Sequence, residues 1–266
     1  MSDLTQSPSN LPLVAKSAIV TGATRGIGQE IARQLAILGA NVALVYVSSN
    51  SRSTALEMVD EFTTQGRKCC AIQADLSSGT CGEAIVKQAL QGLGVETIEL
   101  LINNAAIPQT PASVEESLDQ DEFEKIMHIN VRAPILLVQA LLPHLGSQGN
   151  RIINISSIGS RLNFPGYGVY AASKAALESL TRTWARELGV KYHLTCNAVL
   201  VGPTATPDAP DSETRTAAKG LATAERRLGT PRDVADVVTW LSGEGSRNGN
   251  LSTHISIISS TQLELG

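Results

Sequence analysis

The sequence predicts an α/β fold in which one doubly wound parallel sheet carries helices on both of its faces. Two observations predict it: short apolar runs rich in β-branched residues recur along the chain, and segments with helical spacing alternate with them. Such alternation requires parallel strands joined by right-handed crossovers. A length of 266 residues fits a single domain of this class around one core.

The predicted elements alternate from residue 18 onwards. Strands are predicted at residues 18–20, 42–47, 69–73, 100–103, 151–155, 195–200 and 254–258. Helices are predicted from residue 28, from about residues 53 and 82, and over 122–145, 169–190 and 231–241. The last helix follows Thr230-Pro231, which supplies a capping hydroxyl and then proline at the first helical position.

Two segments fall outside this alternation. Residues 1–14 are rich in Ser, Pro and Asn and predict a flexible arm, so the domain itself is expected over residues 15–266. Residues 203–228 contain three prolines and predict a long loop. A loop at the carboxyl edge of an α/β sheet is well placed to act as a lid over a ligand.

Composition and charge exclude several classes of protein. Hydrophobic residues make up 42% of the chain and charged residues 17%, which excludes a disordered chain. A net charge of -4 argues against nucleic acid as a partner. The N-terminus lacks a signal-peptide pattern, and the apolar run 135–142 is too short to span a bilayer, so we expect no membrane span and a cytoplasmic location.

The cysteines show no spacing typical of a metal site or a disulfide framework. They are Cys69, Cys70, Cys81 and Cys196, and none forms a CxxC pair. We therefore expect reduced thiols and no bound metal.

A glycine-rich turn follows the first predicted strand. It reads Thr21-Gly22-Ala23-Thr24-Arg25-Gly26-Ile27-Gly28 and leads directly into a helical segment. Glycines at these positions allow a tight turn and a close approach to a pyrophosphate, which the N-terminus of the helix also favours. The turn predicts a dinucleotide site of the Rossmann type.

The end of the second predicted strand favours NADP(H) over NAD(H). In a Rossmann unit that binds NAD, a carboxylate at this place takes the ribose 2′-hydroxyl. Here the chain reads Ser48-Ser49-Asn50-Ser51-Arg52 and offers no acid. Hydroxyls together with Arg25 and Arg52 suit a 2′-phosphate, because a guanidinium pairs with the phosphate that a carboxylate would repel.

Three residues predict acid–base chemistry beside this cofactor. Tyr170 and Lys174 are four residues apart in a helical segment, so they share one face. Ser157 ends the fifth strand, where a parallel sheet presents side chains to its ligand. We expect Lys174 to lower the pKa of Tyr170, which then acts as general acid, and Ser157 to stabilise a developing alkoxide.

From about Lys16 to the last strand, the chain resembles the short-chain dehydrogenase/reductase family. The resemblance rests on the glycine-rich turn, on Asn103-Asn104-Ala105 and on Ser157 with Tyr170 and Lys174. It implies that Asn130 completes a catalytic tetrad by holding a water that relays protons to Lys174. It also implies an NADP(H) site, with Arg25 as the mark of NADP preference, formed by Gly22, Thr24, Arg25, Gly26, Ile27, Gly28, Ser48, Ser49, Asp75, Leu76, Asn104, Ala105, Ala106, Tyr170, Lys174, Pro203, Thr204 and Thr206.

The chain also departs from the family pattern. Ala106 stands where the family has glycine, Val201-Gly202 replaces a Pro-Gly pair, and Ser259-Ser260 replaces a Gly-Gly turn. The altered C-terminus leaves open whether the expected homo-oligomer is a dimer or a tetramer. The oligomer itself is predicted from apolar positions beyond one sheet-facing stripe, namely Leu136, Leu137, Val138, Leu141 and Leu142.

The predicted function is NADPH-dependent reduction of a carbonyl of a hydrophobic small molecule, such as a ketone of polyketide or other secondary-metabolite origin, to the alcohol. Residues between the catalytic serine and tyrosine are expected to line the substrate pocket, namely Ile158, Arg161, Asn163, Phe164 and Tyr167. Two alternatives stay open at this point: reduction of an imine or activated alkene, and a non-redox role as a cyclisation template or binding surface.

Overall fold

The computed structural model describes residues 11–162, 164–206, 227–246 and 254–257. Its strands are β1 (Ser17–Thr21), β2 (Asn41–Tyr46), β3 (Cys69–Gln73), β4 (Leu100–Asn103), β5 (Asn150–Ser157), β6 (Leu194–Val201) and β7 (His254–Ile257). They form one seven-stranded sheet in the order β3-β2-β1-β4-β5-β6-β7, and all neighbouring pairs are parallel. The predicted sheet is confirmed, and its order reverses between β1 and β4, where such folds bind ligands.

The helices follow the predicted alternation. They are α1 (Gly26–Ile37), α2 (Arg52–Thr64), α3 (Cys81–Leu93), α4 (Gln120–Met127), α5 (Ala133–Leu141), α6 (Gly159–Leu162), α7 (Gly168–Tyr192) and α8 (Pro231–Ser242). The capping residues predicted for α8 are in place, because Thr230 and Asp233 form a reciprocal capping box. The short helix α6 was not predicted.

Two helical layers bury the sheet on both faces. Helices α1, α2 and α8 cover one face, where Ile31, Phe62 and Val238 join a single apolar cluster. Helices α3, α5 and α7 cover the other, with Leu137 and Trp184 in a second cluster. Every residue of β1 is buried, as expected for a central parallel strand packed on both sides.

The helix predicted over residues 122–145 is interrupted in the structure. A π-helical turn at His128–Arg132 separates α4 from α5, and a 3₁₀ turn at Leu142–His144 follows. Pro134 has no N–H to donate to the Asn130 carbonyl, so a regular α-helical ladder cannot continue through this point. The predicted helical stretch is thus present over Gln120–His144, and the π-helical and 3₁₀ turns within it were not predicted.

Most of the apolar surface of α5 is used within the subunit. Leu137, Val138 and Leu141 are buried, and Leu136 and Leu142 pack against the same core. By length and composition alone, the stretch Gln120–His144 would suffice for a membrane span. Because it packs against α3 and α7, it is a core helix of this fold.

The domain begins earlier than the sequence suggested. Leu13 is 1% exposed and belongs to the core cluster, and its N–H donates to the Leu38 carbonyl at 2.9 Å. The packed fold therefore includes part of the segment predicted as a flexible arm. Residues 1–10 lie outside the described chain.

Candidate active site

The glycine-rich turn has the backbone geometry that a phosphate site requires. Gly22 and Gly26 adopt φ values of +65° and +53°, which side chains larger than hydrogen disfavour. A Cβ at Gly28 would lie 2.2 Å from the Gly22 carbonyl oxygen, so only glycine allows α1 to pack this closely. No side chain caps the N-terminus of α1, and Gly26 and Ile27 line a cleft of about 740 Å³. The residues present fit a dinucleotide pyrophosphate.

Thr21 joins the two strands on either side of the switch point. Its hydroxyl oxygen accepts the N–H groups of Asn104 and Ala105, each at 3.0 Å. The Asn104 side-chain amide donates a hydrogen bond of 2.8 Å to the Thr21 carbonyl. The Asn-Asn-Ala segment therefore holds the floor of the cleft by fixing the ends of β1 and β4 together.

The far end of the cleft is lined by Arg25, Ser48 and Asp75. Hydrogen bonds from the Ser77 hydroxyl and N–H hold the pKa of Asp75 below its usual range, so its carboxylate is ready to accept a bond. Arg52 does not line the cleft. It is exposed at the first position of α2, beyond a 3₁₀ turn, so the lining of the cleft does not support the expectation that it meets a 2′-phosphate.

The predicted catalytic side chains meet at the other end of the same cleft. Ser157, Tyr170 and Lys174 all line it. The Lys174 Nζ lies 5.8 Å from the centre of the Tyr170 ring and donates to the Ile155 carbonyl at 2.9 Å. That bond ties α7 to β5, the strand that ends at Ser157.

Burial has the largest effect on the pKa values of Tyr170 and Lys174. It raises the pKa of Tyr170, and a hydrogen bond with Ser157 opposes the change. Burial also lowers the pKa of Lys174 to about 8, against the attraction of the Glu178 carboxylate. The expectation that Lys174 leaves Tyr170 with a lowered pKa was therefore wrong. Tyr170 is a protonated phenol at neutral pH, as a proton donor must be.

Asn130 sits behind the cleft rather than in its wall. Its side-chain oxygen accepts the Ile107 N–H, and its amide donates to the Ile107 carbonyl, each at 3.0 Å. The amide also lies 3.1 Å from the Ser173 hydroxyl, one residue before Lys174. Asn130 thus fixes the segment after β4 to α7, and its role in a proton relay stays a prediction.

Most of the other predicted site residues lie where the sequence placed them. Those that line the cleft are Gly22, Thr24, Arg25, Gly26, Ile27, Gly28, Ser48, Asp75, Leu76, Asn104, Ala105, Ala106, Ser157, Tyr170, Lys174, Thr204 and Thr206. Ser49 and Pro203 do not line it. Val47, Ile107 and Pro108 do, and sequence reasoning missed them although each lies next to a predicted segment. Of the predicted lid, residues 207–226 lie outside the described chain.

The described candidates for the substrate pocket do not line one common cavity. Ile158 is buried against Ala198 and Leu200, and Arg161 pairs with Glu178. Phe164 lines a second cavity, of about 850 Å³, between the loop after β4, α4 and α7. Tyr167 precedes α7 and lines neither cavity, and Asn163 lies outside the described residues. These four described residues therefore do not form the single pocket wall that their spacing predicted.

Metal chemistry finds no support in the part of the chain that the structure describes. No group of three or more His, Cys, Asp or Glu side chains is placed to hold an ion there. Cys69, Cys70, Cys81 and Cys196 are all free thiols.

Comparison with known proteins gives matches over nearly the whole chain. The model of the family described as Enoyl-(Acyl carrier protein) reductase matches residues 22–254. The short chain dehydrogenase asqE of Emericella nidulans is 42% identical over 256 residues, and the match covers 92% of each chain.

Solved structures agree in fold and in sequence. A blue fluorescent protein from a metagenomic library, in complex with NADPH, superposes with a TM-score of 0.86 at 37% identity, covering 93% of this chain and 98% of its own. The angucycline C-6 ketoreductase LanV, with bound NADP, gives 0.86 at 30% identity, covering 94% and 96%. From these matches and the geometry of the cleft, the chain belongs to the short-chain dehydrogenase/reductase family.

Proposed function

We propose that this protein is an NADPH-dependent reductase that converts a carbonyl of a hydrophobic small molecule to the alcohol. One observation carries the proposal: a phosphate-binding turn and the Ser157, Tyr170 and Lys174 side chains line opposite ends of the same cleft. Placing a dinucleotide and a proton donor side by side is what hydride transfer to a carbonyl requires.

The cofactor is NADP(H). Arg25 and Ser48 line the cleft where a 2′-phosphate would lie, and residues 47–52 at the end of β2 offer no carboxylate to repel it. The metagenomic blue fluorescent protein and LanV, both similar to this chain, were solved with NADPH and NADP. When bound, this cofactor supplies the hydride.

The chain's own residues handle the proton. Tyr170, kept protonated by burial, donates its phenolic proton to the substrate oxygen as charge develops there. Ser157 donates a hydrogen bond to the same oxygen and stabilises the alkoxide-like transition state. The Lys174 ammonium then stabilises the phenolate that remains on Tyr170.

The substrate we propose is a hydrophobic ketone of the secondary-metabolite class. Ile107, Pro108 and Val201 give the catalytic end of the cleft apolar walls. LanV, a ketoreductase named for an angucycline, supports this class through its similarity to the chain over 94% of its length. A test incubates the enzyme with NADPH and a panel of aromatic and aliphatic ketones, conjugated enones and imines, and identifies each product by mass spectrometry. Alcohol formation supports the proposal, and saturation of a conjugated alkene or reduction of an imine instead would contradict it.

The working form we propose is a cytoplasmic homo-oligomer. Val114 and Leu118 are 100% and 60% exposed in the loop after β4, and this loop lines the second cavity together with α4 and α7. Exposed apolar side chains next to a cavity favour contact with another copy of the chain. Four free thiols suit a reducing compartment.

A further inference from the structure

Glu178 is a buried carboxylate behind the catalytic residues. It lies four residues after Lys174 on α7, so Tyr170, Lys174 and Glu178 occupy successive turns of one helix face. It is 2% exposed and does not line the cofactor cleft. A buried charge is costly unless several donors satisfy it, so its contacts show what it holds in place.

Four hydrogen bonds converge on this carboxylate. Oε1 accepts the hydroxyls of Ser156 at 2.7 Å and Ser160 at 2.5 Å. Oε2 accepts the Nε and Nη2 groups of Arg161 at 3.1 and 2.7 Å. Bonds to an ionised acceptor are stronger than those between neutral groups, so Glu178 is a firm anchor for all three residues.

These three residues flank Ser157 on both sides. Ser156 precedes it on β5, and Ser160 and Arg161 lie on α6 just after it. The Ser160 hydroxyl lies 2.7 Å from the Ser157 carbonyl oxygen, and the Gly159 N–H donates to the Ser157 hydroxyl at 3.1 Å. A four-residue helix such as α6 has little stability of its own, so tertiary contacts such as this anchor hold it in place.

We propose that Glu178 is a positioning residue for the reduction. By anchoring the turn that carries Ser157 to α7, it sets the separation between the Ser157 hydroxyl and the Tyr170 phenol, both of which must reach one substrate oxygen. Small displacements of such groups reduce rates strongly. The bond from Lys174 to Ile155 makes a second tie between the same helix and strand. The inference rests on the proposed function, which gives Ser157 and Tyr170 their roles.

A double-mutant cycle tests the proposal with Glu178→Gln, Ser157→Ala and the double variant. Glu178→Gln keeps the shape of the side chain but removes the charge that holds Arg161. We expect it to lower kcat about tenfold while the Kd for NADPH stays within about twofold of the wild-type value. Glu178 also raises the pKa of Lys174, so the cycle is measured at about pH 6, where Lys174 stays charged in every variant. In the Ser157→Ala background the further loss should then be less than about twofold, because Glu178 acts through Ser157. The control is Glu187→Gln, an exposed carboxylate on the same helix, which should leave kcat unchanged.

If Glu178→Gln fails to fold, Ser160→Ala carries the same test, because it removes one donor and leaves the pair with Arg161 intact. Its loss of kcat should likewise disappear in the Ser157→Ala background. An unchanged kcat, or equal losses in both backgrounds, would overturn the positioning role. If the Ser157→Ala variant consumed NADPH with the ketone as fast as the wild type, the proposed function itself would be overturned.

Discussion

The side-chain oxygen of Gln109 accepts a hydrogen bond of 3.0 Å from the backbone N–H of Tyr170, 61 residues further along the chain. Tyr170 lies in the first turn of α7, and the residue that precedes the helix, Tyr167, makes no side-chain cap. Gln109 therefore supplies the missing cap from the loop after β4. The loop and the catalytic tyrosine are held as one unit.

Loss of this cap should affect both stability and rate. Gln109→Leu keeps the size of the side chain but removes the acceptor, so we expect the free energy of unfolding to fall by about 1 kcal/mol. We also expect kcat to fall, because Tyr170 is less firmly placed. Urea unfolding and steady-state kinetics measure the two effects. Gln109→Glu is the matched control, because it retains an acceptor that the helix N-terminus favours. If Gln109→Leu and Gln109→Glu had the same free energy of unfolding and the same kcat, the capping role would be contradicted.

Arg25 should determine the preference for NADPH. Arg25→Ala should weaken NADPH binding by about tenfold or more, since a charge-assisted bond to a phosphate contributes roughly 1.5–3 kcal/mol. NADH binding should change little. Fluorescence titration with both cofactors measures the ratio of the two Kd values. Arg52→Ala is the control, because Arg52 is exposed outside the cleft and should have no effect. Equal Kd values for NADPH and NADH in the wild type would refute the assignment.

The rate of reduction should depend on the charge of Lys174. Burial lowers its pKa to about 8, so its ammonium is present below that pH and is lost as the pH rises through it. The phenolate left on Tyr170 is then less stabilised. We expect kcat/KM for a ketone to fall as the pH rises through about 8, and Lys174→Ala to be slow without this fall and to bind NADPH more weakly. A wild-type profile that stays flat to about pH 10 would disprove the dependence on Lys174.

The protein should sediment as a symmetric homo-oligomer at micromolar concentration. Leu137, Val138 and Leu141, three of the positions on which this expectation first rested, are buried within the subunit. The expectation of an oligomer therefore rests on the exposed side chains of Val114 and Leu118. Analytical ultracentrifugation of the wild type and of a Val114→Asp/Leu118→Asp variant measures the assembly. We expect the variant to dissociate, and a wild-type monomer would show the prediction to be wrong.

Elements that depend on local sequence were predicted well. The seven strands have apolar, β-branched runs, and Thr230 and Asp233 mark the start of α8 through a cap that spans three residues. The glycine-rich turn and the spacing of Tyr170 and Lys174 likewise predicted most of the residues that line the cleft. Each of these signals is contained within a short stretch of chain.

Features that depend on distant residues were missed. The hydrogen bond from the Tyr170 N–H to Gln109 spans 61 residues, and the contacts of Asn130 with Ile107 span 23, so no local spacing indicates either. Burial sets the direction in which the pKa of Tyr170 shifts, and burial depends on the packed fold. Glu178 did offer a local signal, since it lies one turn beyond Lys174.

The most direct test of the proposed function is the turnover of Tyr170→Phe with NADPH and a ketone that the wild type reduces. The variant keeps the ring and its packing but lacks the phenolic proton. We expect kcat to fall by at least about 10²-fold, as for a lost general acid, while the Kd for NADPH changes by less than about twofold. A Tyr170→Phe enzyme that still reduces the ketone at close to the wild-type rate would contradict the central claim that Tyr170 donates the proton.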